Sequence, residues 1–280
     1  MMPETVMPKP NIPQQAVILA AGYGSRLRPF TDYRPKPLVE VNGVAILHNA
    51  LAHLDALGVR EVTIVVGYRK DAIEYACGSQ FGGLQIRYVE STVFATTGSA
   101  WSLWLAREAL LAGDLFLLEG DVFFERAALE RLAWHPAPDV AAVAPFTELM
   151  AGSAVVIDEG GAIHEVRMKQ TAADLRRPGP PLFKTMNLLR FSAQTLRDKI
   201  VPALDAYADA GHANVYTEQM LAQLIADAGL ALAAARCDDL RWYEIDTADD
   251  LRIAEGMFSK PALRSASAGH IEVHQVKAFL

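Results

Sequence analysis

The sequence predicts an α/β protein built on a doubly wound, mostly parallel sheet. Three observations lead there. Through residues 14–145, short apolar runs of strand length alternate with amphipathic segments of helical period. That alternation specifies parallel strands joined by crossover helices on both faces. The runs are apolar almost throughout, as strands covered on two faces require. Polar motifs fall just past their carboxyl ends, at Gly22, Glu90 and Glu119-Gly120-Asp121, where ligands bind in an open parallel sheet.

The elements follow in order. Residues 1–13 carry Pro3, Pro8, Pro10 and Pro13 and read as a flexible leader. AVILAAG (16–22) is a buried strand ending in glycine. Residues 45–57 place Ile46, Leu47, Leu51, Leu54 and Leu57 at helical spacing, and Gly58 ends the helix. EVTIVVG (61–67) is a second buried strand, 69–77 a short helix, and LQIRYVE (84–90) an alternating strand. Ser99 is the expected cap of a helix running to Ala112. DLFLLEGD (114–121) is a strand running into acids, 124–134 is helical, and DVAAVAP (139–145) is a strand.

The second half reads differently. AVVIDEGGAIHEV (154–166) is a hairpin turning at Asp158–Gly161, and 171–181 is a polar, Pro-rich loop. PLFKTMNLLRF (181–191) is a strand. Ser192 caps a helix to about Ala208, and 215–228 is another amphipathic helix. ALAAAR (231–236) and LRWYEID (240–246) are strands, and Thr247 caps a helix through about Phe258. The expected organisation is one domain, 14–258, with a first half (14–145) and a smaller β/α half (146–258), followed by a tail at 259–280.

Composition narrows the function classes. Of 280 residues, 51 % are hydrophobic and 21 % charged, which suits a packed globular chain. Lys and Arg number 26 against 33 Asp and Glu, a net charge of −7, which argues against a nucleic-acid partner. No apolar run approaches the ~20 residues of a membrane helix, so no membrane partner is expected. Two cysteines, Cys77 and Cys237, make neither a disulfide framework nor a zinc pattern. The expected setting is cytoplasmic, and a homodimer is compatible with everything above.

The chemistry concentrates in three motifs. The first is AAGYGSRLRPFTDYRPKPLVEVNG, residues 20–43. A strand runs straight into Gly22-Tyr23-Gly24-Ser25-Arg26. Glycines let backbone amides approach a phosphate closely. Arg26, Arg28, Arg34 and Lys36 add positive charge, and two prolines hold Lys36 with little entropy left to lose. The third glycine of a dinucleotide fingerprint is missing, and Pro29, Pro35 and Pro37 forbid the helix that would follow it. The second motif is Leu117-Leu118-Glu119-Gly120-Asp121. A carboxylate at the end of a buried strand needs a partner or a metal, or else caps the next helix. The third is Trp242-Tyr243-Glu244-Ile245-Asp246-Thr247, where Asp246 is a ligand or a turn residue. The two aspartates can share a site only if the fold brings their strand ends together.

The first motif resembles the signature of the nucleotidyltransferases that make nucleoside-diphosphate sugars and related CDP or CMP conjugates. The resemblance covers about 14–258. It implies a Rossmann-like nucleotidyltransferase fold and transfer of a nucleotidyl group from an NTP, with pyrophosphate leaving. By that resemblance Gly22, Gly24 and Arg26 bind the NTP phosphates, with Ala20, Ala21, Tyr23, Ser25 and Gly120 lining the same site. Lys36 stabilises the α-phosphate, and Asp121 and Asp246 hold Mg²⁺. The loop Thr97-Gly98-Ser99 takes base and ribose. Glycine and serine stand where the small-acceptor branch often has asparagines.

The acceptor half is similar to the branch that includes phosphocholine and 2-aminoethylphosphonate cytidylyltransferases. Phe183-Lys184-Thr185-Met186-Asn187-Leu188-Leu189 stands in place of the sugar enzymes' acceptor segment. The match implies that Lys184 contacts the acceptor's phosphate or phosphonate, with Asn187 on the same site. Glu244 faces an acceptor amine, and strand alternation puts Trp242 on the Glu244 face and Tyr243 in the core. Leu189 stands where the branch often has an aromatic, which weakens a quaternary-ammonium cage. Trp101 and Trp104 read as core, and no histidine has a ligand spacing. The expected reaction is transfer of CMP from CTP to a small phospho-alcohol or phosphonate acceptor. The alternatives are a sugar-1-phosphate nucleotidyltransferase and a non-catalytic nucleotide sensor.

Overall fold

The computed structural model describes residues 10–259. The strands are β1 (Gln15–Ala20), β2 (Glu40–Val41), β3 (Val44–Ala45), β4 (Glu61–Val66), β5 (Gln80–Phe81), β6 (Leu84–Glu90) and β7 (Leu115–Glu119). After them come β8 (Val122–Phe124), β9 (Val140–Pro145), β10 (Gly152–Ile157), β11 (Ala162–Gln170), β12 (Phe183–Phe191), β13 (Leu232–Arg236) and β14 (Trp242–Glu244). Ten of them form one sheet in the order β10-β11-β13-β9-β12-β7-β1-β4-β6-β5. Strand β1 pairs in parallel with β4 and β7, β4 with β6, and β9 with β13. The sheet becomes mixed where β12 enters antiparallel between β7 and β9.

Both faces are covered because the central strands alternate between two cores. Ala16, Ile18 and Ala20 of β1 pack with Phe116 and Leu118 of β7 under the helices Ile46–Leu57 and Ala127–Trp134. Val17 and Leu19 pack with Leu115 and Leu117 on the other face, under Ser99–Leu105 and Thr217–Asp227. Every one of these side chains is buried, which is why the strands read as continuous apolar runs. The two sequence halves share this sheet, so they are not separate units.

Several local expectations change. Helix 99–112 is two helices, Ser99–Leu105 and Arg107–Ala112, broken at Ala106. Trp104 Nε1 and the Arg107 guanidinium straddle the break and both donate to Asp205. Ser99 is not a cap: it is the first helical residue, and its hydroxyl accepts from the Thr217 amide at 2.8 Å. The helix expected from 124 begins at Ala127, because Val122–Phe124 is a strand. Trp101 and Trp104 are half-buried and stack on each other; Trp104 packs against the core as expected, while Trp101 sits at its margin. Ser192 and Thr247 cap as expected, by accepting from Thr195 and Asp250 amides. Of the flexible leader, residues 1–9 lie outside the described residues. The remainder is docked: the Asn11 amide donates to Ala133 O at 2.8 Å, and Pro13 is buried. The tail from 260 onward also lies outside. Among the described residues no helix is long and apolar enough to cross a membrane.

Candidate active site

The site lies at the carboxyl ends of β1 and β7, as the motif positions require. Gly24 has φ +60°, a left-handed conformation, and a Cβ there would stand 2.7 Å from Lys36 Cβ. Glycine is therefore needed twice over, for the turn and for the passage of Lys36. Thr31 Oγ1 donates to Gly24 O at 2.8 Å and pins the loop. Gly120 lets the end of β7 lie against β1, since a Cβ would meet Leu19 O at 2.9 Å.

Asp121 and Asp246 lie 125 positions apart in the chain, and the pairing of β8 with β14 joins them. These strands run antiparallel, with Glu244 opposite Val122, and the Ile245 amide donates to Asp121 O at 2.9 Å. Lys36 Nζ sits between the two carboxylates, 2.9 Å from Asp121 Oδ2 and 2.7 Å from Asp246 Oδ1. Arg26 reaches Asp246 Oδ1 at 2.9 Å. Burial works against the Lys36 charge, but the two aspartates outweigh it and hold its pKa above the usual lysine value. Burial likewise opposes the Asp246 charge, and Lys36 and Arg26 overcome it, so this carboxyl lies below its usual value.

The donor set fits a magnesium ion. Mg²⁺ binds one or two protein carboxylates and fills its shell with phosphate oxygens and water. Asp121 Oδ1 is buried with no hydrogen-bond partner, a free oxygen of the kind such an ion uses. Among the described residues no group of three or more acidic, His or Cys side chains converges as a self-sufficient metal cage.

A cleft of about 410 Å³ collects the predicted nucleotide residues. Ala20, Ala21, Gly22, Tyr23, Gly24, Ser25 and Arg26 line one wall, with Lys36, Gly120, Asp121, Glu244 and Asp246. Thr97, Gly98 and Ser99 face them. Gly98 is held by backbone: its amide donates to Ala213 O at 2.8 Å, and a Cβ would lie 2.1 Å from Val215 O.

The acceptor residues divide. Lys184 and Trp242 line an adjoining lobe of about 560 Å³, together with Glu244 and Asp246. Lys184 is buried and bonds Glu244 Oε2 at 2.7 Å. Burial opposes its charge, and Glu244 more than compensates, raising its pKa. Burial dominates for Glu244 and pushes its carboxyl up to about 7. Asn187 sits in a bulge of β12 at φ +52° and donates to Glu244 Oε1 at 3.3 Å. It faces a separate inner cavity of about 30 Å³. Trp242 is 4 % exposed and packs in the main core, so only its margin reaches the lobe. Tyr243 is buried, as alternation predicts.

Sequence reading missed Glu218, Tyr216 and Phe94, which also line the cleft. Glu218 looks like an ordinary first-turn acid of helix Thr217–Asp227, and nothing in its spacing sets it apart. Burial, the largest influence, raises the pKa of Glu218 and of Glu119, and the carboxylates around them add to it.

Comparison with known proteins identifies the family. Residues 16–219 match the MobA-like NTP transferase domain. A CMP-5'-(3-aminopropyl)phosphonate synthase of Streptomyces rubellomurinus is 40 % identical over 253 residues, 89 % of this chain. The match takes in 40 % of that relative, so this chain spans about two fifths of its length. A 2-aminoethylphosphonate cytidylyltransferase of Lancefieldella rimae is 26 % identical over 84 % of this chain and 89 % of its own. The solved CTP:phosphocholine cytidylyltransferase of Streptococcus pneumoniae has the same fold, with a TM-score of 0.71 at 20 % identity, over 88 % of this chain and 99 % of that one. The family match covers well over half of the sequence and includes the glycine-rich turn, Lys36 and Asp121. This chain belongs to the MobA-like NTP transferase domain family, on a Rossmann-like α/β fold.

Proposed function

We propose that the chain is a Mg²⁺-dependent cytidylyltransferase that moves CMP from CTP to a small phosphate or phosphonate acceptor and releases pyrophosphate. The observation that carries this reading is Lys184. It is a buried lysine on the acceptor strand, fixed by Glu244 two residues before Asp246. A second cation beside Lys36 suits a second phosphorus group beside the nucleotide's. The names of the relatives support CTP and a phosphonate or phosphocholine-like acceptor.

The proposed step is an in-line displacement. An acceptor oxygen bonds to the α-phosphorus, and the bond from that phosphorus to the pyrophosphate oxygen breaks. The attacking oxygen is already ionised near neutral pH, so no general base is needed. The protein positions the two substrates and neutralises charge. Amides of the Gly22–Ser25 turn approach the phosphates, and Lys36 and Arg26 offset charge at the α-phosphate. Lys184 orients the acceptor group. Asp121 and Asp246 would hold Mg²⁺, which supplies charge neutralisation on the triphosphate when bound. The buried free thiols Cys77 and Cys237 accord with a reducing, cytoplasmic setting.

Pyrophosphate release from CTP and Mg²⁺ tests the reading, run with phosphocholine, phosphoethanolamine, 2-aminoethylphosphonate, 2-hydroxyethylphosphonate and glucose-1-phosphate. Turnover with a small phosphate or phosphonate is expected. Turnover with glucose-1-phosphate alone would move the chain to the sugar-nucleotide branch.

A further inference from the structure

Resting on that reading, we propose that Asn187 is a positioning residue: with Thr185 it locks Glu244, and through Glu244 it aims the Lys184 ammonium into the acceptor lobe. The sequence expectation puts Asn187 on the acceptor itself. The structure puts it behind Glu244 instead. Lys184 and Glu244 border the lobe, and neither Asn187 nor Thr185 does. Those two border the inner cavity.

The three contacts form one chain. Thr185 Oγ1 donates to Asn187 Oδ1 at 2.9 Å, Asn187 Nδ2 donates to Glu244 Oε1 at 3.3 Å, and Lys184 Nζ donates to Glu244 Oε2 at 2.7 Å. A hydroxyl that gives its one proton to Oδ1 leaves the amide NH₂ facing the carboxylate, which only accepts. Glu244 is thus held at both oxygens and cannot turn. Among the described residues Glu244 is the one ion-pair partner of Lys184, so further N–H donors of Lys184 are left for a ligand. A Cβ on Gly152 would stand 2.9 Å from Lys184 Nζ, so that glycine keeps open the place the ammonium occupies.

Strand β12 departs from regular geometry to make the chain. Met186 and Leu188 enter one core and Leu189 enters the other, so plain alternation sends Lys184 and Asn187 to opposite faces. They meet at one carboxylate because the register of β12 against β9 shifts between Thr185 and Leu189, with Asn187 at φ +52°. A bulge re-aims side chains, and asparagine tolerates a left-handed backbone better than most residues. The result is a lysine whose long stem is ordered before substrate arrives. Left free, it would lose that rotamer freedom on binding, which weakens acceptor affinity rather than the chemical step.

The test is a double-mutant cycle in the pyrophosphate assay, with CTP, Mg²⁺ and the one of the four small acceptors named above that the wild type uses best. Asn187→Gly keeps the left-handed backbone and removes the amide. Asn187→Asp keeps the shape and sets a second carboxylate against Glu244. Each should raise acceptor KM about tenfold, the order of one hydrogen bond to a charged group, with kcat and the KM for CTP moving less than about twofold. Thr185→Val should shift acceptor KM in the same direction, and Thr185→Ser should keep it. In a Lys184→Met background Asn187→Gly should change acceptor kcat/KM by less than about twofold, since no ammonium is left to aim. An undiminished loss in that background would mean direct contact between Asn187 and the acceptor. An unchanged KM in Asn187→Gly or Asn187→Asp would mean that the amide positions nothing. Loss of kcat and of both KM values together would mark a structural role. Any of these overturns the inference and leaves the cytidylyltransferase reading standing. No wild-type turnover with any of the four acceptors would overturn both.

Discussion

Removing the Lys36 ammonium should separate its two jobs, holding the aspartates together and neutralising phosphate. In Lys36→Ala, Asp121 and Asp246 lose the cation that bridges them at 2.9 and 2.7 Å. Breaking a fully buried pair costs about 3–5 kcal/mol. Here the carboxylates are 19 % and 23 % exposed and Arg26 stays on Asp246, so about 2 kcal/mol is expected. For a chain of this size that lowers Tm by about 4–8 °C. The loss should be largest in EDTA. Freed of Lys36, the carboxylate pair should bind a divalent cation better, so Mg²⁺ alone should raise the variant's Tm more than the wild type's. Turnover in the pyrophosphate assay should fall by a factor on the order of 10²–10³, as when a transition-state donor is removed. Thermal melts with EDTA and with Mg²⁺, beside initial rates, read both effects. Near-native turnover would refute the catalytic role, and equal Mg²⁺ shifts in both proteins would refute the shared-carboxylate argument.

Other outcomes follow from single positions. Gly98→Ala puts a methyl 2.1 Å from Val215 O and should cost about 1–3 kcal/mol as well as CTP affinity. Gly22→Ala meets nothing within 4 Å, so it should spare Tm and raise only KM for CTP; a fall in Tm would contradict the phosphate-turn role. The raised pKa of Glu218 means the folded state binds its proton more tightly than the unfolded state, so its contribution to stability falls as pH rises above the ordinary glutamate value. Half-buried His53 and His135, with pKa values lowered by burial, pull the opposite way, so the comparison must be with Glu218→Gln. That variant should gain on the wild type in urea midpoint at pH 7.5 and gain little at pH 5.5; a gain confined to pH 5.5 would refute the sign. Arg190 is 1 % exposed and donates to the carbonyls of Ala133 and His135, each at 3.1 Å, and of Ala137, at and just past the end of helix Ala127–Trp134. Arg190→Leu should cost about 3 kcal/mol in urea unfolding by leaving the carbonyl oxygens of His135 and Ala137 unpaired, without moving either KM.

The sequence was most informative where one local pattern determined the outcome. Strands β1, β4 and β7 were legible because burial on both faces makes them apolar runs, β6 because it alternates, and Gly58 because a left-handed helix end selects glycine. Of the site, the first motif could be read almost whole, since Gly24 and Lys36 answer one steric demand 12 positions apart. The failures share a cause. Strands β8 and β14 have three residues each, too few to show a period, and they pair across about 120 positions. The Asn42-Gly43 turn between β2 and β3, with both residues at positive φ, carried a recognisable hairpin signal that the helical reading of the next segment obscured. Ser99 looked like a cap because its type and place fit one, but its hydroxyl is used by Thr217 on a distant helix. Glu218 had no local signal at all, because its place on the cleft depends on which distant elements the fold brings together.

That dependence explains why β14 is the centre of the site although it is so short. Glu244 and Asp246 are two positions apart, so extended backbone turns both toward the cleft. One holds Lys184 from the acceptor strand and the other holds Lys36 from the nucleotide motif. The two lysines proposed to meet phosphorus groups are thus fixed by a single stretch of backbone, which is anchored to β8 beside Asp121. Gly98 and Ser99 tie the opposite wall to residues 213–217 in the same way, by backbone and hydroxyl contacts. On the proposed reading, a nucleotide held at the 97–99 loop bears directly on the start of helix Thr217–Asp227. The two proposed substrate regions are physically joined along both walls, and a substitution on either side of those joints should alter the KM values of both substrates together.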